Sequence, residues 1–536
     1  MSTFNELIDF TRSTTGTYLD SVVYGDELVV NGTFDSDSDW AKGTGWAISG
    51  GTASKTAGTG SSIVSTTLNG TIGKSYLLTF DLTLSAGVIN STLGAAATPV
   101  YDSSGSYAEI LKPTTTGAFQ FYGNAAFAGS IDNVSVKEVI GGQVSGTPLL
   151  RTAAINEPRL EYDASGNPLG LLIEEARTNL FINSIPNSGW TTSNTALSFN
   201  VAESPDGQAT AGLFAETAAG NAHMTYQSGG FNFVGGTAYT SSVYVKANTA
   251  TSCQLTTTSS GFGSTAYANF DLSNGTLGTT GASATSSIQE IGNGWYRISM
   301  TATAGTSASG SGGFIALNNN NPSAPRLPLY AGDTSQSIYV WGNQVETGAF
   351  PTSYIPTSGS TVARSADIAS VPVERFAYNK SSTVGTFYVH FEGEDGGRGL
   401  SAASSVGRAC DILVTTSVLV YSNHTGSDLY NLAEYDGGFV KVAAAMKQND
   451  AAASANGGSV DTDNSTFVPI TATQVDIGAY AAGGEYANGH IKQIQYYPKR
   501  LSNTELQLLT QPSASPTMNL TFDGQATSTL VEGLHD

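Results

Sequence analysis

The segment GLLIEEARTNLF, Gly170 to Phe181, sets two carboxylates and a guanidinium behind an apolar run. Paired carboxylates are the tools of acid/base work on a glycosidic bond, where they must flank the scissile atoms. Glu174 and Glu175 are adjacent in sequence. On a strand they would point to opposite faces, and on a helix they would diverge by about 100°. Neither arrangement sets both across one bond. Arg177 can pair with one of them, and a neighbouring cation lowers a carboxyl pKa where a general acid needs it raised. Glu174, Glu175 and Arg177 are therefore read as a structural junction, packed by Leu171, Leu172 and Ile173 and pinned by a Glu–Arg pair. No catalytic residue is assigned, and the chain is not expected to be an enzyme.

Other chemistry-bearing types are sparse. The five histidines, His223, His390, His424, His490 and His535, form no HExxH and no close pair with metal spacing. His390 falls on the outward face of a strand pattern and is read as solvated. No GxSxG turn follows an apolar strand. Cys253 and Cys410 lie far apart, which excludes a disulfide framework and a Cys-based zinc site. Sugar binding is the better chemical hypothesis, because a pyranose stacks on an exposed aromatic face while Asn, Asp and Gln bond its hydroxyls. The candidate stacking residues are Trp46, Tyr101 and Tyr122, then Phe262 and Tyr267, then Tyr421, Tyr430 and Tyr435.

The elements that would position them are strands. YLLTFDLTL (76–84) puts Tyr76, Leu78, Phe80, Leu82 and Leu84 on one face. TFYVHFEGE (386–394) puts Phe387, Val389 and Phe391 inward and Tyr388, His390 and Glu392 outward. Short alternating strands between Gly/Ser/Asn turns predict an all-β chain of sandwiches. The longer helix is LSNTELQLLTQ (501–511), where Ser502 and Glu505 have capping-box spacing and Leu506 and Leu509 share a face.

Composition narrows the setting. Charged residues are 12% of the 536, so the surface is built largely of Ser, Thr, Asn and Gly. The net charge of −21 argues against nucleic acid, whose phosphates would go unneutralised. No apolar run is long enough to span a membrane. The N-terminus has neither a basic region nor an apolar core, so no signal peptide is expected and synthesis is placed in a cytoplasm.

A weak repeat gives the modules. NGTFDSDSDW (31–40) and NLFINSIPNSGW (179–190) both run from Asn through an aromatic to Trp. IDNVSVKEV (131–139) answers the first and VWGNQVETG (340–348) the second. Two jelly rolls are expected, followed by a third sandwich to residue 511 and a tail from 512 to 536.

FTRSTTGTYLDS (10–21), EPRLEYDASGNPLGLLIEEARTNLF (157–181) and WGNQVETGAFPTSYIPT (341–357) resemble a family of tailed-bacteriophage virion proteins that accompany tails or fibres. NGHIKQIQYYPKRLSNTELQLLT (488–510) resembles the closing strand and helix of a concanavalin A-like, laminin-G-like lectin sandwich. The first module resembles carbohydrate-binding jelly rolls that end in Asp-Asn-Val. In relatives the first stretch runs nearly directly into one like LLRTAAINEPRLEYD, so residues 22–148 are expected as an inserted jelly roll. Residues 1–21 and 149–178 would then be two parts of one connector or anchor element that meet in space. The second jelly roll would span 179–357 and the lectin-like domain 358–511.

The resemblance implies tandem jelly-roll sandwiches followed by a concanavalin A-like one, in a virion structural protein of the tail, fibre or spike. It implies host-surface glycans and other virion proteins as partners, and a homo-oligomer, with a trimer as one option. Jelly rolls of this kind hold structural calcium near their first and last strands, which points to Asn31, Asp35 and Asp132. In the second module Asn343 or Glu346 replaces the Asp. The alternatives are a capsid or tail decoration protein without sugar binding, and a glycan-degrading tailspike enzyme. Against the last, no long repetitive β-helix region is present.

Overall fold

A computed structural model of the chain describes residues 8–20, 24–72, 74–139, 148–376, 384–404, 407–421, 429–464, 472–480 and 484–511. The tail from 512 to 536, with His535, lies outside them, as does His424. The chain is all-β, built of antiparallel sheets that pack as sandwiches. It divides into two compact units, Val22–Gly146 and the remainder.

The unit Val22–Gly146 is one sandwich. Its larger sheet centres on Ser75–Ala86 and Ala128–Val139, and its smaller one on Ser61–Gly70 and Gly117–Gly123. The chain passes repeatedly between the two sheets, the connectivity of a jelly roll. The alternation of YLLTFDLTL holds: Tyr76, Leu78, Phe80 and Leu82 are buried, and the intervening residues are not. The opening turn meets the closing strand, since Val134 donates its N–H to the Gly32 carbonyl (2.9 Å). Trp40 packs on Phe34 and donates from Nε1 to the Asn31 carbonyl (3.1 Å).

The other unit holds two sandwiches. In the first, a six-stranded sheet with Ser337–Thr347 and Ala238–Ala247 near its middle faces another that contains His223–Phe233 and Ala308–Leu317. Its opening repeats the plan of the inserted jelly roll. Phe181 packs edge-on against Trp190, whose Nε1 donates to the Asn183 carbonyl (2.6 Å). Leu180 donates its N–H to Val345 (2.7 Å).

The remaining sandwich pairs two seven-stranded sheets. Here the structure differs from the expected split connector. Residues 1–21 and 149–178 do pair with each other, through Gly16–Asp20 and Leu149–Ala153. They do not form a separate element, however. Asp9–Thr11 is the edge strand of one sheet, against Ile368–Pro372, and Pro168–Ile173 pairs with Gly489–Tyr497 in the other. Leu171 and Ile173 are fully buried in this sandwich's core. The apolar run GLLI therefore completes a sheet. Gly170, at φ +118°, allows the approach: a Cβ there would stand 2.4 Å from the Ile491 carbonyl oxygen.

The helix is Asn503–Thr510, and both capping-box bonds form between Ser502 and Glu505. It packs on the Val440–Met446 and Ala451–Ala455 strands, and its Leu506 joins Leu501 and Tyr388 of the Gly385–Phe391 strand in one buried cluster. The outward assignment of Tyr388 is thus corrected, because its side chain is buried in that cluster. His390 is also half-buried, with its pKa pushed down to about 4 by burial and then by the charges of Lys492 and Lys441.

Candidate functional site

Glu174 ends the Pro168–Ile173 strand inside a cluster of charge. Arg12, Arg159, Arg364 and Asp367 are each 0–1% exposed, and Glu174 is 5% exposed. Arg159 binds Glu174 (Nη1–Oε2, 2.7 Å) and, through Nη2, Asp367. Arg12 reaches Asp367 (3.1 Å) and Arg364 reaches Glu174 (3.3 Å). Ser353 closes the cluster, its N–H donating to one Glu174 oxygen and its hydroxyl to the other, both at 2.7 Å. Burial alone would raise the Glu174 carboxyl. The Arg364 and Arg159 guanidiniums and the Ser353 bonds outweigh it and hold that carboxyl well below the usual carboxylate range. Such a group is a permanent anion and cannot serve as a general acid.

The neighbouring pair is separate. Glu175 binds Arg177 (2.5 Å), whose guanidinium lies over the Phe350 ring. Gly348 makes the room, since a Cβ there would fall 1.3 Å from Arg177 Nη1. The twin glutamates therefore join different networks. Arg12, Arg159, Arg364, Asp367 and Ser353 were not assigned from sequence. Their partners are remote, up to 355 residues away for Arg12 and Asp367. The available signal was scarcity: in a chain so poor in charge, an Arg within each of FTR, EPR and VAR needs a partner.

A second cluster lies beside the first. His490 is 8% exposed and bridges two carboxylates, Nδ1 to Glu392 (2.6 Å) and Nε2 to Glu161 (2.7 Å). Burial would lower its pKa, but the bonds to Glu161 and Glu392 raise it to about 9. The other Glu161 oxygen accepts the Leu19 N–H (2.7 Å). This clamp borders a cavity of about 280 Å³ between the two sandwiches of this unit. Tyr18, Leu19, Leu150 and Leu172 form one side, and Tyr244, Ile291 and Arg297 form another. Gln289 and Glu394 stand at its exposed mouth.

The aromatic candidates separate sharply. Trp46, Tyr101 and Phe262 are 5–6% exposed and belong to cores, so no pyranose can stack on them. Trp46 packs on Phe127, Tyr101 on Phe80, and Phe262 on Phe233. Tyr267 is half-buried, and Tyr435 is half-buried with its hydroxyl bonded to Gly393. Tyr122 is 43% exposed and keeps a free surface. The side chains of Tyr421 and Tyr430 lie outside the described residues.

The calcium candidates are engaged locally. Asn31 donates to the Ser36 and Ser38 carbonyls, Asp35 accepts from Thr33, and Asp132 accepts from the Asn133 N–H. In the second module Asn343 donates to Gly313, and Glu346 accepts from Thr352. Among the described residues, no three His, Cys, Asp or Glu side chains are grouped to hold a metal ion. Among them also, no helix is long and apolar enough to cross a membrane.

Fold and clusters together define an all-β protein whose strands are assembled as sandwiches. No protein-family profile matches the chain. No curated protein matches it. Among solved structures, Trypanosoma rangeli sialidase in complex with sialic acid matches at 11% identity, over 87% of this chain and 82% of that one, with a TM-score of 0.21. Similarity at that level carries no argument about fold or activity.

Proposed function

We propose that the chain is a structural and adhesive protein of a tailed-bacteriophage particle, part of a tail, fibre or spike, with sandwiches that contact host-surface glycans. The observation that supports this reading is the convergence of the three virion-like stretches on one buried point. Arg12 comes from FTRSTTGTYLDS, Arg159 and Glu174 from EPRLEYDASGNPLGLLIEEARTNLF, and Ser353 from the SYIPT segment. The motifs that carry the resemblance are thus the parts that weld two sandwiches together. A fixed scaffold suits a particle component whose individual contacts are weak, because copy number turns weak contacts into avidity. Exposed Tyr122 and the polar, charge-poor surface suit glycan contact.

Antibody labelling of purified virions in the electron microscope, together with a host-polysaccharide array, tests the reading. Label on tail or fibre and binding without product support it. Label on the head with no binding supports a decoration protein. New reducing ends support a hydrolase, and label confined to bacterial envelope overturns the virion assignment.

A further inference from the structure

The cavity beside the His490 clamp has the chemistry of a ligand site. At about 280 Å³ it falls just below the usual range of ligand pockets, roughly 300–1,000 Å³, which suits one ring and not a chain of rings. Part of its lining is apolar: Leu19, Leu150, Leu172 and Ile291 border it and are 3–7% exposed. Its rim is rich in acceptors. Glu392 spends one oxygen on His490, while Glu394 and Gln289 reach solvent at the mouth. Arg297 also lines it, its Nη2 donating to Ser242 Oγ (3.1 Å) and to the Thr352 carbonyl. The charges lean negative: Glu161, Glu392 and Glu394 outnumber His490 and Arg297, and Glu174 is neutralised by its own arginines.

We infer that this cavity binds a single neutral or amino-bearing sugar ring, with the ring's apolar face on the leucines and its hydroxyl or ammonium donors at Glu392, Glu394 and Gln289. The inference rests on the adhesive reading and deepens it by naming the place and class of ligand. A ring presents one apolar face and a belt of donors and acceptors, which matches a lining that joins leucines to carboxylates and an amide. A carboxylated sugar is disfavoured by the acidic rim and by the overall charge of −21. Three tyrosines also line the cavity: Tyr244 and Tyr354 are 2–3% exposed, and Tyr18 is half-buried.

The test uses the full chain with three probes, each offering its terminal ring: glucosamine oligomers, N-acetylglucosamine oligomers and polyuronate oligomers, followed by titration calorimetry and saturation-transfer NMR. Two variants are made at exposed rim positions, Glu394→Ala and Gln289→Trp, with hydrogen exchange confirming the fold. The wild type is expected to bind the first two probes and not the polyuronate. Glu394→Ala is expected to weaken glucosamine binding about tenfold or more, the loss of one charge-assisted hydrogen bond. Gln289→Trp is expected to block the mouth to both. Wild-type binding that neither variant changes would overturn the cavity site and leave the adhesive reading standing. A preference for polyuronate would overturn the ligand class. Binding of no probe, with an empty polysaccharide array, would overturn both.

Discussion

Glu174 is the sharpest place to perturb the molecule. Glu174→Gln keeps the shape and removes one charge, so that Arg12, Arg159 and Arg364 face Asp367 alone. All of these side chains are at most 7% exposed, so water cannot replace the lost partner. Breaking a buried pair by removing one member costs about 3–5 kcal/mol. Glu175→Gln is the matched control. Its side chain is 35% exposed and, among the described residues, binds Arg177 and Asn488, so its loss should cost about 0–1 kcal/mol. The assay is denaturant unfolding followed by hydrogen exchange on peptides covering Pro168–Ile173 and Gly489–Tyr497, because separate sandwiches need not unfold together. Acid supplies a second arm. The folded Glu174 pKa lies below its ordinary 4.5, so its contribution is present above pH 4.5 and is lost as pH falls toward the folded value. The wild type should therefore lose its advantage over Glu174→Gln as the medium is acidified below pH 4.5. Equal costs for the two substitutions, or an advantage that grows in acid, would refute the reasoning.

Other outcomes follow from the same contacts. The His490 pKa is raised from 6.5 to about 9 in the folded chain, so the clamp stabilises fully below pH 6.5 and its contribution is lost as pH rises through 9. The gap in unfolding midpoint between wild type and His490→Gln should shrink over that range, and a constant gap would exclude the clamp. Ser502→Ala removes a capping bond and should cost about 1 kcal/mol, read as lost exchange protection of the helix. Leu506→Ala, at a fully buried position, should cost about 2–5 kcal/mol in the same assay. Excising residues 22–146 and closing Ser21 to Thr147 with a short turn should leave the remaining sandwiches folded, since Asp20 already pairs with Leu149. Loss of exchange protection in Asp9–Thr11 on excision would contradict that.

Much of the architecture was legible along the chain. Strand periodicity is a local property of side chains alternating across a pleat, so Tyr76 to Leu82 could be assigned from nine letters. A capping box is equally local, and Ser502 with Glu505 marked the helix start. The Asn-to-Trp repeat announced two modules whose opening turns and closing strands do meet. Alternation states which residues share a face but not what covers it. Tyr388 and His390 are expected outward, but Tyr388 is buried with Leu501 and Leu506, and His390 is half-buried against Phe439. Trp46, Tyr101 and Phe262 illustrate the same gap: an aromatic has the same letter whether it fills a core or meets a sugar.

By itself, the sequence determined the class of fold, the alternation of strand faces and the capped helix, because these rest on short-range sterics. Only the tertiary structure decided that GLLIEE closes a sheet of the last sandwich, and that Glu174 and Glu175 serve different arginines. It also brought Glu161, Glu392 and His490 to one cavity wall. The physical reason is separation. A buried charge takes whichever partner the packed chain delivers, and for Arg12 that partner lies 355 residues away.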